Sequence, residues 1–140
     1  MKTKLFIAGA VFGFVMVGRM DAQLQQWQWA ISEGGIGYDD GRDIATDKSG
    51  NIYVYGLFSG TATFGNQTIA SYGASDFFLA KYDANGNFLW VQHGGGAVFI
   101  MIAEMGHSLA LDSDGNIYIA GAYSVGILNF GNITLPYAPG

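Results

Sequence analysis

Gly106-His107-Ser108-Leu109-Ala110 has the spacing of a nucleophile elbow, the strained strand-to-helix turn that presents a catalytic serine. Its fifth position is Ala110 where that motif needs glycine, and a pair of strands rather than a helix is expected to follow. Asp112-Ser113-Asp114-Gly115-Asn116 supplies the first half of a calcium loop, with Asp112 and Asp114 as weak ligand candidates. Tyr123 stands at the twelfth position, where such a loop needs a bidentate Glu. Glu33 with Asp39-Asp40 offers carboxylates of the kind glycoside hydrolysis uses. Adjacent aspartates in a glycine-rich stretch are instead expected to be solvated turn formers. His93 and His107 make no metal-ligand spacing. No residue is assigned a catalytic or cofactor-binding role, and no cofactor is expected.

What positions these residues is a long repeat. Asp47-Lys48-Ser49-Gly50-Asn51-Ile52-Tyr53-Val54-Tyr55-Gly56 returns as Asp112-Ser113-Asp114-Gly115-Asn116-Ile117-Tyr118-Ile119-Ala120-Gly121. Trp29 matches Trp90, Gly34-Gly35 matches Gly95-Gly96, and Phe64-Gly65-Asn66 matches Phe130-Gly131-Asn132. Length changes fall between these blocks, chiefly in the segment from Ala97 to Gly106, as stacked modules tolerate. The alignment places Ser108 on Asp43 and His107 on Arg42. A position that takes Asp in one unit and Ser in the next reads as framework, which weakens the nucleophile reading further.

Within one unit the expected strands are Arg42–Asp47, Asn51–Phe58, Asp76–Asp83 and Asn87–Gln92. The turns beginning at Asp47, Asp83 and Asp112 share one design. Asp folds its carboxylate onto nearby amides, and Gly supplies the positive φ of a tight hairpin. The runs Ile52-Tyr53-Val54-Tyr55, Phe77-Phe78-Leu79-Ala80 and Ile117-Tyr118-Ile119-Ala120 are apolar at consecutive positions. A strand wet on one face would alternate, so these strands are expected to be covered on both faces. Stacked four-stranded antiparallel sheets meet that demand, and a β-propeller is the simplest closed version.

The pattern Asp47, Gly50, Asn51, Ile52, Tyr53, Gly56, then Asp76, Phe78, Ala80, Lys81, Tyr82, Asp83, Asn85, Gly86, Asn87, Trp90, then Gly94-Gly95-Gly96 resembles the SBBP-type β-propeller repeat of exported bacterial proteins. The resemblance runs from about Trp27 to Asn132. It implies an all-β propeller of four-stranded antiparallel blades, here a fragment of about one and a half blades. It carries no catalytic signature to transfer.

Lys2 and Lys4, the apolar run Leu5 to Gly18 and the small-residue region Asp21-Ala22-Gln23 read as an export signal. The chain has no Cys, so an exported form must hold its fold by packing alone. Removing residues 1–22 would leave three cations against ten acids, which disfavours nucleic acid and anionic membranes as partners. The expected organisation is a signal peptide over 1–22, a lone propeller-closing strand within 23–35, a first unit over 36–96 and a truncated second unit over 97–140. Such a fragment leaves an apolar face and open edges, so marginal stability or association is expected. Val98 to Met105, the main departure between units, is expected to pack over an apolar neighbour. Asn66-Gln67-Thr68 and Asn132-Ile133-Thr134 match the glycosylation sequon, although turn formation accounts for both.

The function expected from these readings is a non-enzymatic, exported, secreted or cell-surface scaffold for adhesion or binding. Its expected partners are a protein or glycan and the missing C-terminal blades of its own chain. The alternative is the N-terminal part of a propeller hydrolase acting on carbohydrate, with its catalytic residues outside this segment.

Overall fold

A computed structural model describes residues 2–8, 26–97, 108–121 and 126–136. All regular structure among them is β, in twelve strands and no helix. In chain order these are β1 (Lys2–Ala8), β2 (Gln26–Gly35), β3 (Asp39–Thr46), β4 (Ile52–Phe58), β5 (Thr61–Phe64), β6 (Gln67–Ala70), β7 (Asp76–Tyr82), β8 (Phe88–Gly95), β9 (Ser108–Leu111), β10 (Ile117–Ala120), β11 (Leu128–Phe130) and β12 (Ile133–Leu135). The Val98 to Met105 stretch and His107 lie outside the described residues, as does most of the expected export signal.

The four strands expected within one unit form an antiparallel meander in the order β3-β4-β7-β8. β3 starts three residues before its expected position, because Asp39 pairs with Phe58 at the far end of the ladder. A bulge between Gly41 and Asp43 absorbs the irregularity, as an extra residue in one strand does. All seven positions of β4 are buried, so this strand is covered on both sides. One face packs Phe58, Phe78, Ala80 and Val91 against Ala62, Phe64 and Ile69 of the β5–β6 hairpin and against Trp29 and Ile31 of β2. Phe64 and Phe78 meet there with ring centroids 4.6 Å apart. The other face packs Tyr53, Tyr55 and Leu79 against Leu109, Leu111, Ile117 and Ile119 of β9 and β10. Each fully buried aromatic contributes roughly 1.5–3 kcal/mol, so these two seams carry the stability of a chain without disulfides.

The units are also joined edge to edge. Gly34 of β2 pairs with Thr63 of β5, and Gly95 of β8 pairs with Asn129 of β11. By the sequence repeat these are the same pair twice. The end of one unit's last strand therefore receives the hairpin of the next unit, giving the runs β2-β5-β6 and β8-β11-β12. Glycine is required at the joint: a β-carbon on Gly35 would collide with the Thr61 carbonyl oxygen, and one on Gly96 with that of Ile127. The strand expected to stand alone, β2, thus has partners on both edges, β5 on one and the parallel β1 on the other.

Candidate functional site

The central sheet carries aspartates at both ends, and the chain treats them differently. At one end lie the β3–β4 and β7–β8 turns, which the β9–β10 turn repeats. In each, the first Asp accepts two backbone N–H bonds on Oδ1 and a side-chain amide on Oδ2. For Asp112 these are Asp114 N and Asn116 N at 2.9 Å each, and Asn116 Nδ2 at 2.7 Å. Asp83 makes the same bonds to Asn85 and Asn87, and Asp47 to Ser49 and Asn51. Gly50, Gly86 and Gly115 hold φ of 79°, 85° and 85°, which the turn demands and L side chains resist. The Asn116 amide beside Asp112 is the main cause that holds its carboxyl down at about 2. Asp47 and Asp83 are lowered for the same reason, by Asn51 and Asn87. Both oxygens of Asp112 serve the turn, and Tyr118 Oη also donates to Oδ2 at 3.1 Å. The neighbouring Asp114 carboxylate accepts from Ser113 Oγ at 3.4 Å. No group of three or more metal-ligating side chains occurs among the described residues.

At the opposite end Asp39, Phe58 and Asp76 form one transverse row across β3, β4 and β7. In-register partners point to the same face, so both carboxyls enter the layer under the β5–β6 hairpin. Asp39 and Asp76 are each 2% exposed. The expectation that Asp39 is a solvated turn former is therefore incorrect. Burial pushes both carboxyls above the usual carboxylate range, opposed but not cancelled by backbone amides and, at Asp76, by the charge of His93. Each carboxylate holds the root of a loop. Asp39 Oδ2 accepts the Gly35 N–H at 2.8 Å, and Asp76 Oδ2 accepts the Tyr72 N–H at 2.7 Å. His93 lies on the same face, edge-on to Phe58 at 5.8 Å, with its Nδ1 buried and without a hydrogen-bond partner.

The loops so rooted meet in a compact cluster. Tyr38 N donates to Ser59 Oγ at 2.7 Å, and Ser59 N returns to Tyr38 O at 2.8 Å. The next residue repeats the reciprocity, with Gly60 N to Ser71 Oγ at 3.0 Å and Ser71 N to Gly60 O at 2.8 Å. Tyr38 takes part in this cluster and Tyr72 follows Ser71 directly, and both residues are about half-exposed. Tyr72 stacks on His93 at 5.1 Å and 23°. Tyr38 Oη donates to Asp40 Oδ2 at 2.9 Å, and the same oxygen meets Arg42 Nε at 2.6 Å. The hydrogen bond to Asp40 pushes the Tyr38 phenol up, so it stays a neutral donor.

The remaining candidates are dispersed. Glu33 does not join Asp39; its carboxylate binds the Gly65 N–H at 2.6 Å and the Tyr82 hydroxyl. Ser108 is exposed at the start of β9. Asp43, its repeat equivalent, accepts Ile44 N at 2.8 Å and Leu109 N at 2.7 Å, and so ties two units together. Sequence reading passed over Tyr38, Tyr72 and Ser59. Their one signal was a Tyr, Ser and Gly bias in the segments outside the strands.

No protein-family model matches this chain, and no solved structure matches it. Among curated proteins, an uncharacterized WD repeat-containing protein of Acanthamoeba polyphaga mimivirus is 24% identical over 119 residues, covering 72% of this chain. The chain spans 8% of that relative's length. The likeness and the repeated joint agree on a repeat-built, all-β chain.

Proposed function

We infer that this chain is part of an exported β-propeller of the SBBP type and works as a non-enzymatic binding scaffold. One observation carries the reading. The same unit-to-unit joint occurs twice in the same register, at Gly34 with Thr63 and at Gly95 with Asn129, while the sequences that follow the glycine pairs, 36–41 and 97–106, differ in length and residue type. A frame that repeats beneath loops that vary is the design of a modular binding surface. The distant relative, named for its WD repeats, supports the repeat architecture. The loops rooted by Asp39 and Asp76 form the binding end, and a protein or glycan is the partner class. The basic start and apolar run of residues 1–18 support export.

Expression in a bacterial host with an outer membrane, followed by fractionation and intact-mass measurement, tests the reading. The expected product lies outside the cytoplasm and has lost residues 1–22. A full-mass chain confined to the cytoplasm would overturn export, and hydrolysis of an offered polysaccharide would overturn the non-enzymatic role.

A further inference from the structure

We propose that residues 2–8 are a displaceable occupant of a strand-accepting edge on β2, and that this edge fits an antiparallel strand of the β7 type. The proposal deepens the repeat-scaffold reading and rests on it, though not on export. The slot occurs twice. By the repeat, β2 is equivalent to β8, with Trp29 on Trp90 and Gly34-Gly35 on Gly95-Gly96. On β8, one edge pairs with β7 and the other with the next unit's hairpin at β11. On β2, the hairpin strand is β5, and β1 takes the edge that β7 takes on β8. The two ladders break at the same place. Lys81 pairs with Trp90 and Tyr82 with Phe88, passing over Leu89. Lys4 pairs with Trp29 and Thr3 with Trp27, passing over Gln28, the repeat equivalent of Leu89.

β1 also resembles β7 in the residue type it brings to each register position. Counted from the tryptophan partner toward the glycine pair, β7 presents Lys81, Ala80, Leu79, Phe78 and Phe77. β1 presents Lys4, Leu5, Phe6, Ile7 and Ala8. Each is a lysine followed by an apolar run. The direction differs: β1 runs parallel to β2, whereas β7 runs antiparallel to β8. Parallel pairing is slightly less stable per residue, so an antiparallel strand of the same composition is favoured over β1. The edge itself is built to accept one. Gln26 to Ser32 hold neither charge nor proline, the residue types that shield an open edge. Such an edge binds an extended segment through main-chain hydrogen bonds, with alternate side chains setting specificity. Wherever processing removes residues 1–22, the occupant leaves and the edge opens.

Fluorescence anisotropy with a labelled peptide of residues 75–83 tests the exchange on the full, unprocessed chain, so a failure of export leaves the result readable. Leu5→Pro with Phe6→Pro should tighten peptide binding about tenfold, equivalent to ~1.4 kcal/mol. Adjacent prolines remove a ladder donor whichever one faces β2. The same peptide carrying Leu79→Pro with Ala80→Pro should not bind. Hydrogen exchange of the wild-type chain gives a second reading that does not depend on how the variant folds. Saturating peptide should speed exchange at residues 2–8 and leave β4 protected. Three results would each overturn the proposal: no peptide binding to either chain, equal binding to both, or binding to the wild type without faster exchange at residues 2–8.

Discussion

The two ends of the central sheet use the same residue type to opposite electrostatic effect. At the turn end, Asp47, Asp83 and Asp112 stay near solvent and are held ionised by amides a few residues away. At the loop end, Asp39 and Asp76 are buried on one row and pushed toward the neutral form. The turn aspartates complete a local hairpin that any unit can repeat. The buried pair acts at longer range, rooting two loops that come together only when the hairpin β5–β6 closes over the sheet. The comparison shows why the turns recur along the chain. A local device can be copied with its segment, whereas a tertiary one depends on what covers it.

The largest effect expected from breaking this contrast is at the loop end. Gly35→Val places a branched side chain against the Thr61 carbonyl, where even a β-carbon has no room. We expect a loss of about 3 kcal/mol, read as a lower urea midpoint. Gly50→Ala at the turn end should cost only about 1 kcal/mol, the strain of a positive φ. Equal losses would show that the two ends are equally local.

Proton linkage gives the next test, with opposite signs at the two ends. The turn aspartates have folded pKa values below the ordinary 3.8. Their contribution is present above that value and is lost as pH falls, for Asp112 through about 2. Asp39 and Asp76 have raised folded values, so their contribution is present below 3.8 and is lost as pH rises through the raised values. Asp39→Asn with Asp76→Asn should flatten the decline above pH 4 and leave the acid limb intact. Asp83→Asn with Asp112→Asn should lower the melting temperature at neutral pH and flatten the acid limb. Melting curves from pH 2 to pH 8 decide, and the same limb changing in both variants would erase the distinction.

The smallest effect belongs to the partly exposed ion pair at the loop end. Arg42→Gln removes the partner of Asp40 at 2.6 Å and should change stability by less than about 1 kcal/mol, because solvent screens the pair. A larger loss by chemical denaturation would mean that the loop cluster rests on this pair instead of on the buried carboxylates.

The turn end was legible in the sequence because each element there is short-range. Asp, Gly and Asn within five residues specify the hairpin, and the strands on either side announce themselves by apolar runs. The loop end was misread at Asp39, since Asp39-Asp40 between glycines carries the local signal of a wet turn. Its burial depends on Phe58 beside it in the ladder and on Phe64 and Ile69 in the layer above, residues that lie 19 to 30 positions away. Tyr38 and Tyr72 were passed over for the same reason: the bonds that link their loops, through Ser59 and Gly60, join segments far apart in sequence.

By itself, the sequence determined the repeat, the strand meander and the turn chemistry, because pairing period and turn geometry are written in adjacent residues. Only the tertiary structure decided which aspartates are buried, which glycines seat the next unit's hairpin and which loops bond to one another. Those outcomes depend on the layer that a distant segment lays over each position, and on the water it removes.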